Sequence, residues 1–196
     1  MPPAQPVNER LVPSASIHRR RFLRWGLAAA TALISPRVLK AAVVAPGAPA
    51  ERRLSFFNTH TAERLEACYC RAGRYDPGAL REINHLLRDH RTGDVGDIAP
   101  DLLDLLHGLG RRFETPQPFH VISGYRSPAT NAALHRQSRG VASQSLHMFG
   151  KAIDIRVPGV STGELKTLAL SLAAGGVGYY PRSDFIHVDI GRVRSW

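Results

Sequence analysis

From residue 51 onward the apolar positions fall into short segments whose periods can be read. Leu54-Ser-Phe-Phe57 and Ala67-Cys-Tyr-Cys70 suggest short strands around a polar stretch, Asn58–Glu66. Asp76-Pro77 reads as an N-cap followed by proline at the first helical position. Leu80, Ile83, Leu86 and Leu87 then recur as one helical apolar face. A second helix is expected from Pro100, carrying Leu102, Leu103, Leu105, Leu106 and Leu109 and ending near Gly110. Phe119–Ser123 reads as a buried strand, Gly124-Tyr-Arg126 as a turn, and Ser127-Pro128 as the cap of a third helix through about Arg136. Ser138–Ser145 is a polar loop. Lys151–Val157 alternates strictly, with Ile153, Ile155 and Val157 on one face and Asp154 and Arg156 on the other. Ser161-Thr-Gly-Glu164 has capping-box form and opens a helix of Leu165, Leu168 and Leu172 that Gly175-Gly176 is expected to end. Val177–Tyr180 and Phe185–Ile190 read as two strands joined by Pro181–Asp184. Helices first and paired strands later predict an α+β domain with a small antiparallel sheet flanked by helices. No internal repeat or linker divides residues 51–196.

The front of the chain differs. Of the formal net charge of +10, residues 1–50 supply +6, from Arg10, Arg19, Arg20, Arg21, Arg24, Arg37 and Lys40 against Glu9. The excess is a feature of this segment, which weakens a general affinity for polyanions. His18-Arg19-Arg20-Arg21-Phe22-Leu23-Arg24 precedes an apolar run of ten residues, Trp25–Ile34, then Ser35-Pro36 and a small-residue stretch, Ala41–Ala50. A basic region, a short apolar core and small residues describe a secretory signal peptide, and the arginine pair with its Phe-Leu resembles a twin-arginine signal. The run is roughly half of the ~20 residues that span a bilayer, so no stable membrane span is expected after cleavage. Residues 1–45 are therefore expected to be signal and cleavage zone, 51–196 the functional domain, and its place extracytoplasmic, in the periplasm. Cys68 and Cys70 are badly spaced for a disulfide and read as small apolar fillers.

The candidate chemistry lies in polar residues where the pattern asks for apolar ones. Asp154 sits between Ile153 and Ile155, and His187 and Asp189 alternate with Ile186, Val188 and Ile190. A carboxylate in such a strand is costly unless paired or metal-bound. If the two strands are neighbours, His147, Asp154 and His187 can meet, and two imidazoles with one carboxylate are a ligand set for catalytic zinc. Bound zinc lowers the pKa of a water toward ~7 and polarises a carbonyl, which suits amide hydrolysis. Spacing alone leaves two alternatives open: histidines satisfied by backbone, and Asp154 paired with a neighbour such as Arg156. No HExxH helix is present.

Ser145-Leu-His-Met-Phe-Gly-Lys-Ala-Ile-Asp154 matches SxHxxGxAxD. It resembles the LAS-type zinc peptidases, which include D-Ala-D-Ala carboxypeptidases, D,D-dipeptidases and murein endopeptidases. Ile122–Asn131 and Gly176–Gly191 are similar to its YcbK-like, murein endopeptidase K branch. The resemblance covers residues 51–196 and implies a hedgehog/D-Ala-D-Ala peptidase-like fold and one Zn2+ per chain on His147, Asp154 and His187. It also implies that Arg126 lies near the substrate carbonyl or carboxylate, with Ser145 and Gln144 as substrate hydrogen bonders. Related dipeptidases carry Glu three residues before the last histidine, and carboxypeptidases His two before it. Those positions are Asp184 and Phe185 here, so Asp184 takes the part of general base. Asp189 is the rival, as base or as the group orienting a ligand's second nitrogen. His120 and His135 are read as structural.

The expected activity is hydrolysis of peptide cross-links between peptidoglycan stems. The competing readings are a non-catalytic wall-binding module on the same fold, or a D,D- or L,D-carboxypeptidase. Nucleic-acid binding is excluded by the charge distribution and by the lack of basic–aromatic interleaving.

Overall fold

The computed structural model describes residues 50–113, 117–138 and 140–196. The expected signal segment, with its arginine pair and apolar run, lies outside the described residues. Glu51–Asn58 (β1) and Arg64–Arg71 (β2) form an antiparallel hairpin, and Arg74–Tyr75 (β3) adds to its outer edge. A bulge opposite Arg52 and Arg53 leaves Tyr69 as the extra residue of β2. Its fully buried ring sends the hydroxyl to Asp104 Oδ1 at 2.8 Å. Both cysteines are free. Cys70 is buried and Cys68 half-buried, as expected of fillers.

Capping side chains start three of the four α-helices where local chemistry predicted. Asp76 accepts from the backbone N–H groups of Gly78 and Ala79 and opens α1, Pro77–Leu86. Pro100–Gly110 (α2) buries Leu102, Leu103, Leu106 and Leu109, each worth ~1.5–3 kcal/mol over an exposed position. Ser127 caps Pro128–Gln137 (α3), and Ser161 Oγ accepts from Glu164 N to open Thr162–Ser171 (α4). Five further strands follow: Phe119–Ser123 (β4), Ala152–Arg156 (β5), Gly176–Tyr180 (β6), Phe185–Asp189 (β7) and the short Arg194–Ser195 (β8).

The strands form one eight-stranded sheet in the order β3-β2-β1-β4-β5-β7-β6-β8. The α+β class is as expected, but the sheet is neither small nor purely antiparallel. β1 runs parallel to β4 and β6 parallel to β8. The reason is that α1 and α2 form a crossover between β1–β3 and β4, which joins the N-terminal hairpin to the later strands. Helices α1 and α2 pack on β2 and β1, and α4 on β6 and β7. Their buried faces meet Ile153, Ile155, Ile186 and Val188 in one core.

The glycine pair does not cap α4, which ends at Ser171. Gly175 and Gly176 instead let β6 pass close to Asp189. A Cβ at 175 would strike the Asp189 carbonyl, and one at 176 would stand 2.5 Å from its Oδ2.

Candidate metal centre

Register brings the first two candidate ligands together. β5 and β7 are antiparallel, with Asp154 directly opposite His187. Their neighbours Ile153, Ile155, Ile186 and Val188 face the core, so both polar side chains emerge on the other face. His147 arrives on a short 3₁₀ turn, Leu146–Phe149, which closes at Gly150 with φ +61°. A Cβ there would collide with the Asp97 carbonyl, so only glycine lets the turn pack this closely on the Asp97–Ile98 backbone.

Three donor atoms converge. His187 Nδ1 is 2.9 Å from Asp154 Oδ1, His147 Nε2 is 3.3 Å from the same oxygen, and the two ring nitrogens are 3.2 Å apart. Three ligands of a tetrahedral zinc at about 2.1 Å would stand about 3.4 Å apart, close to what is found. The outer nitrogens are occupied: His147 Nδ1 bonds the Gly124 carbonyl at 2.8 Å and His187 Nε2 bonds Asp189 Oδ2 at 2.9 Å. Both outer partners are acceptors, so the outer nitrogens carry the protons and the inner ones present lone pairs to a common point. That donor set fits a divalent ion. Among the described residues it is the group of three whose ligating atoms lie within 4.8 Å of one another.

The electrostatics follow from burial and pairing. Desolvation opposes ionisation of Asp154, but His147 and His187 beside it hold the carboxyl far below the usual carboxylate range. Burial likewise lowers His187, and the carboxylates of Asp154 and Asp189 outweigh it, so the imidazole sits above its ordinary value. Asp189 is fully buried and is held low by His187, Arg194 and the Gly191 N–H.

Arg126 stands on the segment after β4. Its backbone N–H donates to the His147 carbonyl at 3.2 Å. Its guanidinium is 3.6 Å from Asp154 Oδ2, makes one long hydrogen bond to Ser123 Oγ at 3.4 Å, and leaves a buried Nε without a partner. Burial pulls its pKa down, only partly offset by Asp154. A cleft of about 420 Å³ opens here, lined by Arg126, Gln144, Ser145 and the three candidate ligands, among others.

The two candidate bases separate. Asp189 does not face the cleft: it accepts from Gly176 N, Gly191 N, Arg194 and His187, and so fixes the imidazole from behind. Asp184 is not among the lining residues. Its exposed carboxylate accepts from Thr162 Oγ1 at 2.5 Å and lies 3.5 Å from Arg156. His120 packs on Phe57, and His135 Nδ1 bonds the Val141 carbonyl at 2.6 Å, both apart from the trio. The sequence reading missed Asp89, buried and accepting from Ser127 N beside Arg126, and the Arg194–Trp196 segment, which lines the cleft. A two-residue strand carries no period by which it could have been found.

The family model described as peptidoglycan L,D-endopeptidase MepK matches residues 47–196. The peptidoglycan L,D-endopeptidase MepK of Escherichia coli (strain K12) is 40% identical over 179 residues, 91% of this chain and 97% of that protein. The probable peptidoglycan L,D-endopeptidase MepK of Haemophilus influenzae is 42% identical over 180 residues, 91% of this chain and 95% of that protein. No solved structure matches the chain.

Proposed function

The chain belongs to the MepK family of peptidoglycan L,D-endopeptidases, and on that premise we propose that it is an extracytoplasmic zinc peptidase hydrolysing peptide cross-links of peptidoglycan. We place its fold with the hedgehog/D-Ala-D-Ala peptidases. The observation that carries the reading is the convergence of His147 Nε2, Asp154 Oδ1 and His187 Nδ1, each imidazole fixed through its other nitrogen. These three atoms would hold one zinc ion, which when bound supplies Lewis acidity and an activated water for attack on an amide.

The remaining steps fall to the chain's own groups. Arg126, a buried cation with few partners, receives the substrate oxygen on which negative charge develops; a fixed guanidinium fork costs no reorganisation at that moment. Ser145 and Gln144 hydrogen-bond the stem peptide along the same wall. Asp189 acts through His187, keeping Nδ1 aimed at the ion. Asp184 takes the proton and returns it to the leaving amine. It is the exposed one of the two carboxylates, adjoins the cleft residue Phe185, and is held only by Thr162 and a long contact to Arg156, so its side chain acts after turning from Thr162. No described helix is long and apolar enough to cross a membrane. The basic and apolar front segment supports export by the twin-arginine route and a place in the periplasm.

Mass spectrometry of purified muropeptide dimers tests the reading. Dimers with 3–3 links, joined through two diaminopimelates, should yield monomers, a chelator should stop the reaction, and added zinc should restore it. Intact 3–3 dimers after incubation with the zinc-loaded protein would refute it.

A further inference from the structure

The metal chemistry leaves one cleft residue unexplained. Trp196 is 49% exposed, a large apolar surface to present to water, yet it is fixed from several sides. Its N–H donates to the Val177 carbonyl and its carbonyl accepts from Tyr179 N. Its indole Nε1 donates to Tyr180 Oη at 2.9 Å. The Arg194 guanidinium lies 4.8 Å from the ring centre while bonding both oxygens of Asp189. The ring also packs against Gly178, where a Cβ would stand 2.7 Å from Cε2. An indole held this firmly at the rim has already lost its side-chain freedom before any ligand arrives, and that is what a binding anchor requires.

Its position gives the ligand's chemistry. The ring centre lies 5.3 Å from that of His187, whereas Arg126 stands beside Asp154. The candidate ion site is thus flanked by a cation near one ligand and an aromatic plate near another. Tyr180 and Phe185, stacked at 4.7 Å, continue the aromatic wall. Resting on the peptidase reading above, we propose that Trp196 is a substrate-contact and specificity residue. The indole seats the unbranched methylene arm of the stem-peptide residue at the scissile amide, while that residue's anionic or carbonyl oxygens face Arg126. Apolar contact with a rigid ring and a separate cationic contact together select a residue that carries both a methylene arm and a carboxylate.

The chain's other tryptophan is Trp25, so a Trp25→Phe variant of the full chain makes Trp196 the sole indole emitter. Titrating it with the purified disaccharide–tripeptide that hydrolysis would release should give a saturable change in emission. Kinetics on 3–3 dimers should show Trp196→Ala raising KM about tenfold or more, with kcat within threefold and zinc content at the wild-type level. Trp196→Phe should stay within threefold of the wild-type KM, since it keeps the plate and loses only the Tyr180 bond. An unchanged KM in Trp196→Ala, or silent emission at concentrations that inhibit hydrolysis, overturns the proposal. So does joint loss of zinc and kcat in both variants, which would make the ring mere packing for His187. Failure of the wild type to hydrolyse dimers in the same assay overturns the peptidase reading itself.

Discussion

Asp89→Asn isolates a buried carboxylate that holds the Arg126 segment in place without touching the cleft. Asp89 is 2% exposed and accepts from Ser127 N and Arg91 N, each at 2.9 Å, and from the Thr130 hydroxyl. Burial favours its neutral form, but these hydrogen bonds outweigh it and bring the pKa down from 3.8 to about 2. A group whose folded pKa is depressed contributes stability that is full above its unfolded pKa and disappears as pH falls through the folded one. A gap of nearly two units corresponds to about 2 kcal/mol, present above pH ~4.5 and lost between pH ~4 and ~2. Asparagine keeps one acceptor but sets an NH₂ against a backbone N–H, so the variant should lose about 2–3 kcal/mol at pH 7, or about 5–10 °C in Tm. Paired thermal melts of variant and wild type from pH 7 down to 2.5 read the difference directly. That difference should shrink as the pH falls below 4, because the wild type alone surrenders the charge. A difference constant with pH, or none at pH 7, would refute the assignment.

Other substitutions address the site itself. His187→Ala should reduce bound zinc from about one to under a tenth per chain, read by elemental analysis, and abolish dimer hydrolysis together with it. Asp184→Asn should lower kcat by about 10²-fold or more with zinc content unchanged, whereas Thr162→Ala, which frees that carboxylate, should not lower it; wild-type kcat in Asp184→Asn removes Asp184 as the base. Gly150→Ala forces a side chain into left-handed backbone and against the Asp97 carbonyl. It should cost several kcal/mol, about 3 or more, and reduce zinc content as His147 is displaced, measured by melting and metal analysis.

What could be read in advance was what local chemistry determines. Asp76-Pro77, Ser127-Pro128 and Ser161-x-x-Glu164 each start a helix because the orphan N–H groups of a first turn are satisfied by the residue before it. The strict alternation around Asp154 and His187 likewise exposed the candidate ligands before any fold was known. The missing parts depend on distant partners. Gly175 and Gly176 look like a helix stop, but they serve the clearance of Asp189, more than ten residues later. β1 and β2 are twice the length expected because Arg and Glu on their outer positions pair across the strands, as Arg71 does with Glu51 at 2.7 Å, which hides the alternation behind charge. Asp184, three residues before His187, and Asp189, two after it, were rivals for one role by position, and the packing of β6 and β8 around Asp189 separates a buried brace from an exposed carboxylate.

The register that aligns the candidate ligands is set by residues that never touch them. On β5 and β7, Ile153 pairs with Val188 and Ile155 with Ile186, all in the core, and Asp154 faces His187 between these pairs. A slip of one residue in either strand would turn its two apolar side chains toward the cleft and bury its carboxylate or imidazole in their place. Two such side chains hold the alignment of each strand with roughly 3–6 kcal/mol of burial at ~1.5–3 kcal/mol each, an upper estimate. That burial holds two imidazole nitrogens and a carboxylate oxygen within 2.9–3.3 Å of one another. His147 adds little to the entropic demand, because only six residues separate it from Asp154 and a loop so short is cheap to close. The candidate centre is therefore preorganised by hydrophobic pairing behind it, and an ion entering it would need to order almost nothing.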